Sequence, residues 1–295
     1  MDKVLCLDIG GSSIKSGLCS IDGTITNEEK HILENRDYVC FLDTIKKIIS
    51  NTHDNIKGIS LALPGGYDIL EDSIFAPNLL FLNGQHIKKD ITSLCGIDVL
   101  AENDANLAAY GEYVFGDKKS VQNMVFCTLG TGFGGGLILN GRLLQSNITL
   151  FEIGHLSVDF NGRKCGCGRK GCLDEYCSTS GLLEIYKEVS GDNSNISTYD
   201  LKTKADNNNE YAINTFKEYG KLLANAFANI TALLCPEKIK FGGGLSELSE
   251  YYMESLLNEY NNIVFPAYKS RVKIERAVLK NQAGMLGGAA LHFGL

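Results

Sequence analysis

The chain has 295 residues, 28 of them Lys or Arg against 35 Asp or Glu, for a formal net charge of −7. With no basic cluster standing out, that balance argues against sequence-independent nucleic-acid binding, which relies on basic surface to displace counterions. Hydrophobic residues at 44% and charged residues at 21% fit a globular composition, and the absence of an apolar run of about 18 residues argues against a membrane helix.

The N-terminal MDKVLCLDIGG runs straight into a strand pattern, 3–9, without the charged and apolar regions of a secretory leader. A cytoplasmic location is therefore expected, and the sequons at Asn147, Asn195 and Asn229 read as incidental. After the break at Gly10–Gly11 come strand-like runs at 14–20 and, past an Asp22–Gly23 turn, 24–32. Residues 38–51 carry apolar positions at helical spacing. The β-branched run 56–62 ends at Pro64–Gly65–Gly66, and a strand at 97–101 leads through Glu102–Asn103–Asp104 into a helix over 104–114. Strands at 122–129 and 135–140 follow, with Asn140–Gly141 as a hairpin turn. The polar stretch 191–209 reads as a loop, 210–234 as a long apolar helix, and 238–241 as a strand ending at Gly242–Gly244 before another helix. A strand at 272–278 and a helix at 282–293 close the chain. Strands first, then helix, strand and helix, and the same again, predicts two α/β halves of similar design.

Three glycine-rich turns each follow a strand: Asp8–Ser13, Gly130–Gly136 and Phe241–Gly244. Glycine lets backbone approach a ligand closely, and successive N–H groups can cradle phosphate oxygens. Gly130, Gly132 and Gly135 fit G-x-G-x-x-G, as do Gly166, Gly168 and Gly171. Neither match sits between a strand and a helix, as a dinucleotide fingerprint requires, and no P-loop is present. Asp104 can be read as a helix cap or as a general base. Seven cysteines (Cys6, Cys19, Cys40, Cys95, Cys127, Cys177 and Cys235) lie among apolar residues and read as small core hydrophobes. The other three are clustered.

Asp8-Ile-Gly-Gly-Ser-Ser-Ile-Lys15 resembles the first phosphate motif of the ROK sugar kinases. Similar motifs follow in family order: Pro64-Gly65, Ala76-Pro77-Asn78-Leu79, Glu102-Asn103-Asp104-Ala105-Asn106, Leu129 through Gly136, Glu152-Ile153-Gly154-His155, Cys165-Gly166-Cys167 through Cys172-Leu173, and Gly242–Gly244. The resemblance spans essentially the whole chain. It implies an α/β, actin-like ATPase (ribonuclease H-like) fold of two lobes with ligands in the inter-lobe cleft. The small lobe would cover 1–105, completed by the C-terminal helix 282–295. The large lobe would cover 106–281 and carry a zinc-binding loop at 155–172.

By the same resemblance the activity is ATP-dependent phosphorylation of the 6-hydroxyl of a hexose, first of all glucose, with Asp104 as catalytic base. N-acetylmannosamine or N-acetylglucosamine kinases are the alternative. Asp8, Gly10, Gly11, Ser12, Ser13, Lys15, Thr131, Gly132, Gly243 and Gly244 would serve ATP and Mg²⁺, although Lys15 can also be read as solvent-facing. Gly65, Asn78, Asn103, Asp104, Glu152, His155 and Asp174 would bind the sugar. His155, Cys165, Cys167 and Cys172 supply the imidazole and three thiolates of a closed tetrahedral zinc site. A homodimer is implied. Sugar-responsive repressors of the family, which carry an N-terminal helix-turn-helix, are disfavoured because this chain opens on the first phosphate strand. Three departures stand out: Ser12 for threonine, Phe151 where the family usually has glycine, and Asp174 where a glutamate is expected, followed by Glu175.

Overall fold

In the computed structural model, which describes residues 2–52, 55–77 and 79–295, the chain opens with β1 (Lys3–Ile9), β2 (Ser13–Ser20) and β3 (Ile25–Ile32), paired antiparallel in sequence order. β1 and β2 are buried along most of their length, whereas β3 turns Asn27, Glu28, Glu29 and Lys30 outward. Charges on an edge strand discourage pairing with another chain. Helix α1 (Tyr38–Asn51) is capped by Asp37, whose carboxylate accepts the Cys40 N–H at 2.8 Å, and buries Phe41, Ile45 and Ile48 on one face. β4 (Ile56–Leu63) is followed by a short hairpin of β5 (Gly66–Asp68) and β6 (Ser73–Phe75), helix α2 (Ile87–Cys95), β7 (Val99–Asn103) and helix α3 (Asp104–Gly111). The Asp72 carboxylate accepts the N–H groups of Lys88 and Lys89 at 3.1 and 2.8 Å and so caps the start of α2. The first sheet runs β3-β2-β1-β4-β7, with β4 parallel to both β1 and β7.

α3 passes without a break into a π-helical turn over Glu112–Gly116, so the helix expected over 104–114 is α-helical to Gly111 and π-helical beyond it. Then come β8 (Met124–Leu129), β9 (Phe133–Leu139) and β10 (Arg142–Leu143). Between β9 and β10, Asn140 and Gly141 have φ of 52° and 74°, the left-handed pair that a two-residue hairpin needs. Four helices follow: α4 (Asp174–Cys177), α5 (Thr179–Ser190), α6 (Thr198–Asp206) and α7 (Glu210–Leu234). The chain ends with β11 (Lys238–Gly242), α8 (Ser249–Ile263), β12 (Lys273–Arg276) and α9 (Ala283–Phe293). The second sheet runs β10-β9-β8-β11-β12, with β11 parallel to β8 and β12. Each sheet thus lists the third, second and first strands of its run, then two that return by crossovers, as expected for halves of one design.

The 191–209 stretch, expected as a loop, contains α6. Its start is fixed by a capping box in which Ser197 accepts the Asp200 N–H while Asp200 accepts the Ser197 N–H. Only Leu201 and Ala205 of this helix are buried, so local capping rather than an apolar stripe defines it.

Two compact units divide the chain. The first holds Met1–Gln122, Gly136–Leu150 and Leu279–Leu295; the second holds Asn123–Gly135 and Phe151–Val278. In the first, α1 and α2 pack on one sheet face through Phe41, Ile45, Ile87 and Ile91. On the other face Val4, Cys6 and Cys19 meet Met285 and Ala289 of α9. In the second, Tyr219 and Phe227 of α7, Phe241 of β11 and Tyr252 of α8 form a linked aromatic core with ring separations of 5.2 to 6.3 Å. All ten cysteines are free thiols. Among the described residues no helix is long and apolar enough to cross a membrane.

Helix α9 lies unusually close to α3 because small residues line the contact. A Cβ on Gly287 would sit 1.7 Å from the Leu107 carbonyl oxygen, and one on Gly111 would sit 2.1 Å from that of Ala283. Alanine gains about 1 kcal/mol over glycine in a helix, whereas overpacking costs about 1–3 kcal/mol, and here the obstacle is backbone. Gly287→Ala is therefore expected to lower the urea unfolding midpoint. An unchanged or raised midpoint would show that the two helices can separate at no cost.

Candidate active site

The parallel register of the first sheet sets Asp8 of β1 beside Ala62 of β4, and Ala62 beside Glu102 of β7. The residues following these positions, Gly10–Ser13, Pro64–Gly65 and Asn103–Asp104, therefore leave the same carboxyl edge of the sheet. Ligands of open α/β sheets bind at such edges.

At Gly65 φ is +84°, and a Cβ would lie 2.4 Å from the Phe75 carbonyl oxygen, so only glycine fits. Its own carbonyl accepts from the Asn103 side chain, Nδ2 to O, at 2.9 Å. Asn103 Oδ1 accepts the N–H groups of Ala105 and Asn106 at 2.9 and 3.1 Å, which makes Asn103 the cap of α3. Asp104 is the first helical residue. The cap is Asn103, and Asp104 adds to it, its Oδ1 accepting the Ala105 N–H at 2.8 Å. Asn78 lies outside the described residues.

Glu102, which stands in the Glu102–Asn106 motif but carries no role read from the sequence, anchors this turn from below. It is 2% exposed. Its Oε1 accepts the Asn103 N–H and the Asn106 side-chain amide at 2.9 and 3.1 Å, and its Oε2 accepts Gln145 Nε2 at 2.7 Å. A buried carboxylate is tolerated because three donors replace its water.

Asp8 and Lys15 are direct cross-strand partners, and Lys15 Nζ donates to Asp8 Oδ2 at 3.3 Å. The lysine thus lies beside the carboxylate at the mouth of the first glycine turn. Within the turn Gly10 N–H donates to Ser13 O at 2.9 Å, and Leu33 N–H donates to Ser12 O at 3.0 Å. Gly11 has open space where a Cβ would stand.

In the second unit, β8 and β11 are parallel neighbours with Gly242 level with Thr128, so the second and third glycine turns emerge side by side. Gly243, at φ +86°, would place a Cβ 2.5 Å from the Leu129 carbonyl oxygen, and its own carbonyl accepts from Ser246 N–H and Oγ. Gly130 O accepts the N–H and hydroxyl of Thr179 at 2.8 and 2.9 Å. Gly130 N–H closes onto Gly132 O at 3.0 Å, which leaves Thr131 exposed at the tip. Gly130 and Gly244 have nothing within 4 Å of a built Cβ. These are open backbone surfaces of the kind that receive phosphate oxygens.

Phe151 sits at φ +69°, a left-handed conformation that costs a non-glycine residue about 1–2 kcal/mol. The glycine expected there has a conformational reason, and Phe151 bears the strain in its place. Next to it, burial raises the Glu152 carboxyl above its ordinary range; nearby His155 opposes the shift and Asp174 adds to it. Asp174 begins α4, and its Oδ1 accepts the Phe133 N–H at 2.6 Å. Glu175 follows, half-buried, with its carbonyl accepting from Arg163.

The ligand atoms of His155, Cys165, Cys167 and Cys172 all lie within 4.8 Å of one another. His155 Nδ1 is 3.7 Å from Cys165 Sγ, and the sulfurs of Cys167 and Cys172 are 3.6 Å apart. A tetrahedral zinc with about 2.3 Å Zn–S and about 2.0 Å Zn–N bonds would separate its ligands by roughly 3.5–3.8 Å. These two separations fall in that range, and three thiolates with one imidazole are a donor set that could hold zinc. The loop is shaped by Cys165 N–H donating to Arg169 O and Gly168 N–H to Cys165 O, with φ of 91° and 69° at Gly168 and Gly171. Burial raises the Cys165 and Cys172 thiols, while the Arg169 backbone N–H lowers that of Cys167.

The profile of the ROK family matches residues 4–294. A glucokinase of Halalkalibacterium halodurans is 28% identical over 307 residues, covering 97% of this chain and 93% of that protein. A xylose repressor of Bacillus spizizenii is 28% identical over 299 residues, covering 97% of this chain and 77% of the repressor. The crystal structure of a ROK family glucokinase from Streptomyces griseus in complex with glucose and AMPPNP is similar with a TM-score of 0.85 at 26% identity, covering 98% of each chain. The fold is the actin-like ATPase fold of two lobes. With the family profile running across nearly its full length, this chain belongs to the ROK family.

Proposed function

We propose that this protein transfers the γ-phosphoryl group of ATP to the 6-hydroxyl of a hexose, glucose first, with Asp104 as general base. The observation that carries the reading is the split of duties between two adjacent residues. Asn103 caps α3 and fixes Gly65, so the cap itself does not depend on Asp104, whose Oδ1 accepts the adjacent Ala105 N–H at 2.8 Å and which can serve as base as well. Kinship with the Halalkalibacterium and Streptomyces glucokinases supports the same activity.

Phosphoryl transfer asks a protein mainly to position its reactants and stabilise charge, with a base to guide the nucleophile's proton. In this reading Asp104 takes the proton from the sugar hydroxyl as the bond to phosphorus forms and the bond to the leaving ADP oxygen breaks. Gly65, Asn78, Asn103, Glu152 and His155 orient the sugar through hydroxyl contacts, which amides, carboxylates and imidazoles can share several at a time. Burial raises the Glu152 carboxyl above its ordinary range, and its oxygens are available to sugar hydroxyls. Gly10, Gly11, Ser12, Ser13, Thr131 and Gly132 hold phosphate oxygens, and Gly243 and Gly244 border the nucleoside. Asp8, with Lys15 beside it, orients hydrated Mg²⁺, a cation that keeps waters and takes one or two carboxylates. Bound with ATP, Mg²⁺ supplies charge neutralisation at the phosphates.

A regulatory reading, a sugar sensor without turnover, has the Bacillus repressor in its favour. A coupled assay over hexoses and N-acetylhexosamines separates the two. ATP-dependent turnover on one of them is expected, and none on any would leave the sensor. Asp104→Asn is expected to lower kcat by about 10²–10⁴ while sugar binding stays measurable by calorimetry. Undiminished turnover would remove Asp104 as the base.

We further propose a structural zinc on His155, Cys165, Cys167 and Cys172, which would fix the segment bearing Glu152 and Asp174. Protein prepared without chelator is expected to contain about one zinc per chain, and Cys172→Ser to lose it and melt at lower temperature. No zinc by elemental analysis in the parent would refute the site.

A further inference from the structure

The bond between Asp174 and the second glycine turn is the most informative contact that the proposed reaction leaves unused. Asp174 Oδ1 accepts the Phe133 N–H at 2.6 Å, and a Cβ on Gly132 would sit 3.0 Å from the same oxygen. Gly154 closes in on the other polar group of Phe133, since a Cβ there would lie 1.9 Å from Phe133 O and 3.7 Å from Asp174 Cβ. The turn is further held by Thr179 on Gly130 O and by the Thr128 hydroxyl, which accepts the Gly134 N–H at 3.1 Å. Each of these partners grips backbone, so the path of 130–134 is dictated from outside the turn itself. A charged acceptor on a backbone N–H is the strongest type of bond in that set.

We infer that Asp174 is a positioning residue for the 130–134 turn, holding it in the shape that receives the nucleotide phosphates, and is not a ligand of the sugar. Its short side chain sets the carboxylate directly on the Phe133 N–H. A glutamate, one methylene longer, would carry its carboxylate past that group. The nucleotide part of this assignment rests on the kinase reading; the anchoring of the turn does not.

Two measurements on Asp174→Ala, made on the full chain, test it. The KM for ATP is expected to rise about tenfold, the order for losing one hydrogen bond to a charged group, while the KM for the sugar stays within about twofold. The Phe133 amide is expected to exchange its hydrogen faster by mass spectrometry or NMR. Asp174→Asn, which keeps an acceptor without the charge, is expected to restore part of the ATP KM and of the protection. A rise in the sugar KM with the ATP KM unmoved would overturn the inference and return Asp174 to the sugar. Equal protection of the Phe133 amide in parent and alanine variant would overturn it as well. Should the alanine variant fail to fold, Asp174→Asn carries the same comparison, with a smaller rise in the ATP KM and faster Phe133 exchange expected. If the parent shows no ATP-dependent turnover, the kinase reading fails, and the anchor is decided by Phe133 exchange alone.

Discussion

Parallel pairing of β1, β4 and β7 brings together residues nearly a hundred positions apart in sequence. Because register in a sheet is fixed two residues at a time, a slip of one would turn every side chain to the opposite face. Asp8, Ala62 and Glu102 are level in this register, and the chain leaves all three strands at one edge. The first glycine turn, the Gly65 corner and the Asn103–Asp104 pair inherit their proximity from that alignment. The same rule operates in the second unit, where Gly242 is level with Thr128 and two further glycine turns meet.

What these edges present is largely backbone, and that explains the residues around them. Gly65 and Gly243 each combine a positive φ with a carbonyl oxygen standing where a Cβ would go. A side chain at either position would displace the neighbouring strand end, so the glycines are required by packing before any ligand is considered. Gly11, Gly130 and Gly244 are different. Nothing within the protein crowds a Cβ there, so packing does not require glycine at those positions.

Much of this was legible in the sequence, for local reasons. β1, α1 and α7 have the spans expected from burial periodicity, and the Asn140–Gly141 turn has the two left-handed residues that its composition announces. The cysteine cluster was visible from spacing, because its ligands lie within 18 residues from His155 to Cys172. What escaped depends on partners distant in sequence or on patterns too short to register. Glu102 looks like any acidic residue beside an Asn-Asp pair until Gln145, 43 residues on, is found donating to it. The β5–β6 hairpin has three residues per strand, too few for alternation to stand out, and α6 has almost no apolar stripe. Lys15 has more than one reading in the sequence because a strand pattern gives its face but not its partner, which the structure shows to be the cross-strand Asp8.

Three carboxylates near these edges show how partners, not residue type, divide the chemistry. Glu102 is buried under three donors, so its charge is spent on holding the turn that bears Asn103 and Asn106. Asp174 is spent on the Phe133 amide. Glu152 is raised by burial, and the charge of Asp174 nearby pushes it further. The shorter acid in place of the glutamate expected at 174 therefore changes more than reach. It places a negative charge on the glycine turn and lets that charge bear on Glu152, whose own backbone follows directly from the strained Phe151. The two main departures from the family pattern, at 151 and 174, thus both bear on one carboxyl group: Phe151 directly precedes Glu152, and Asp174 adds to its upward shift.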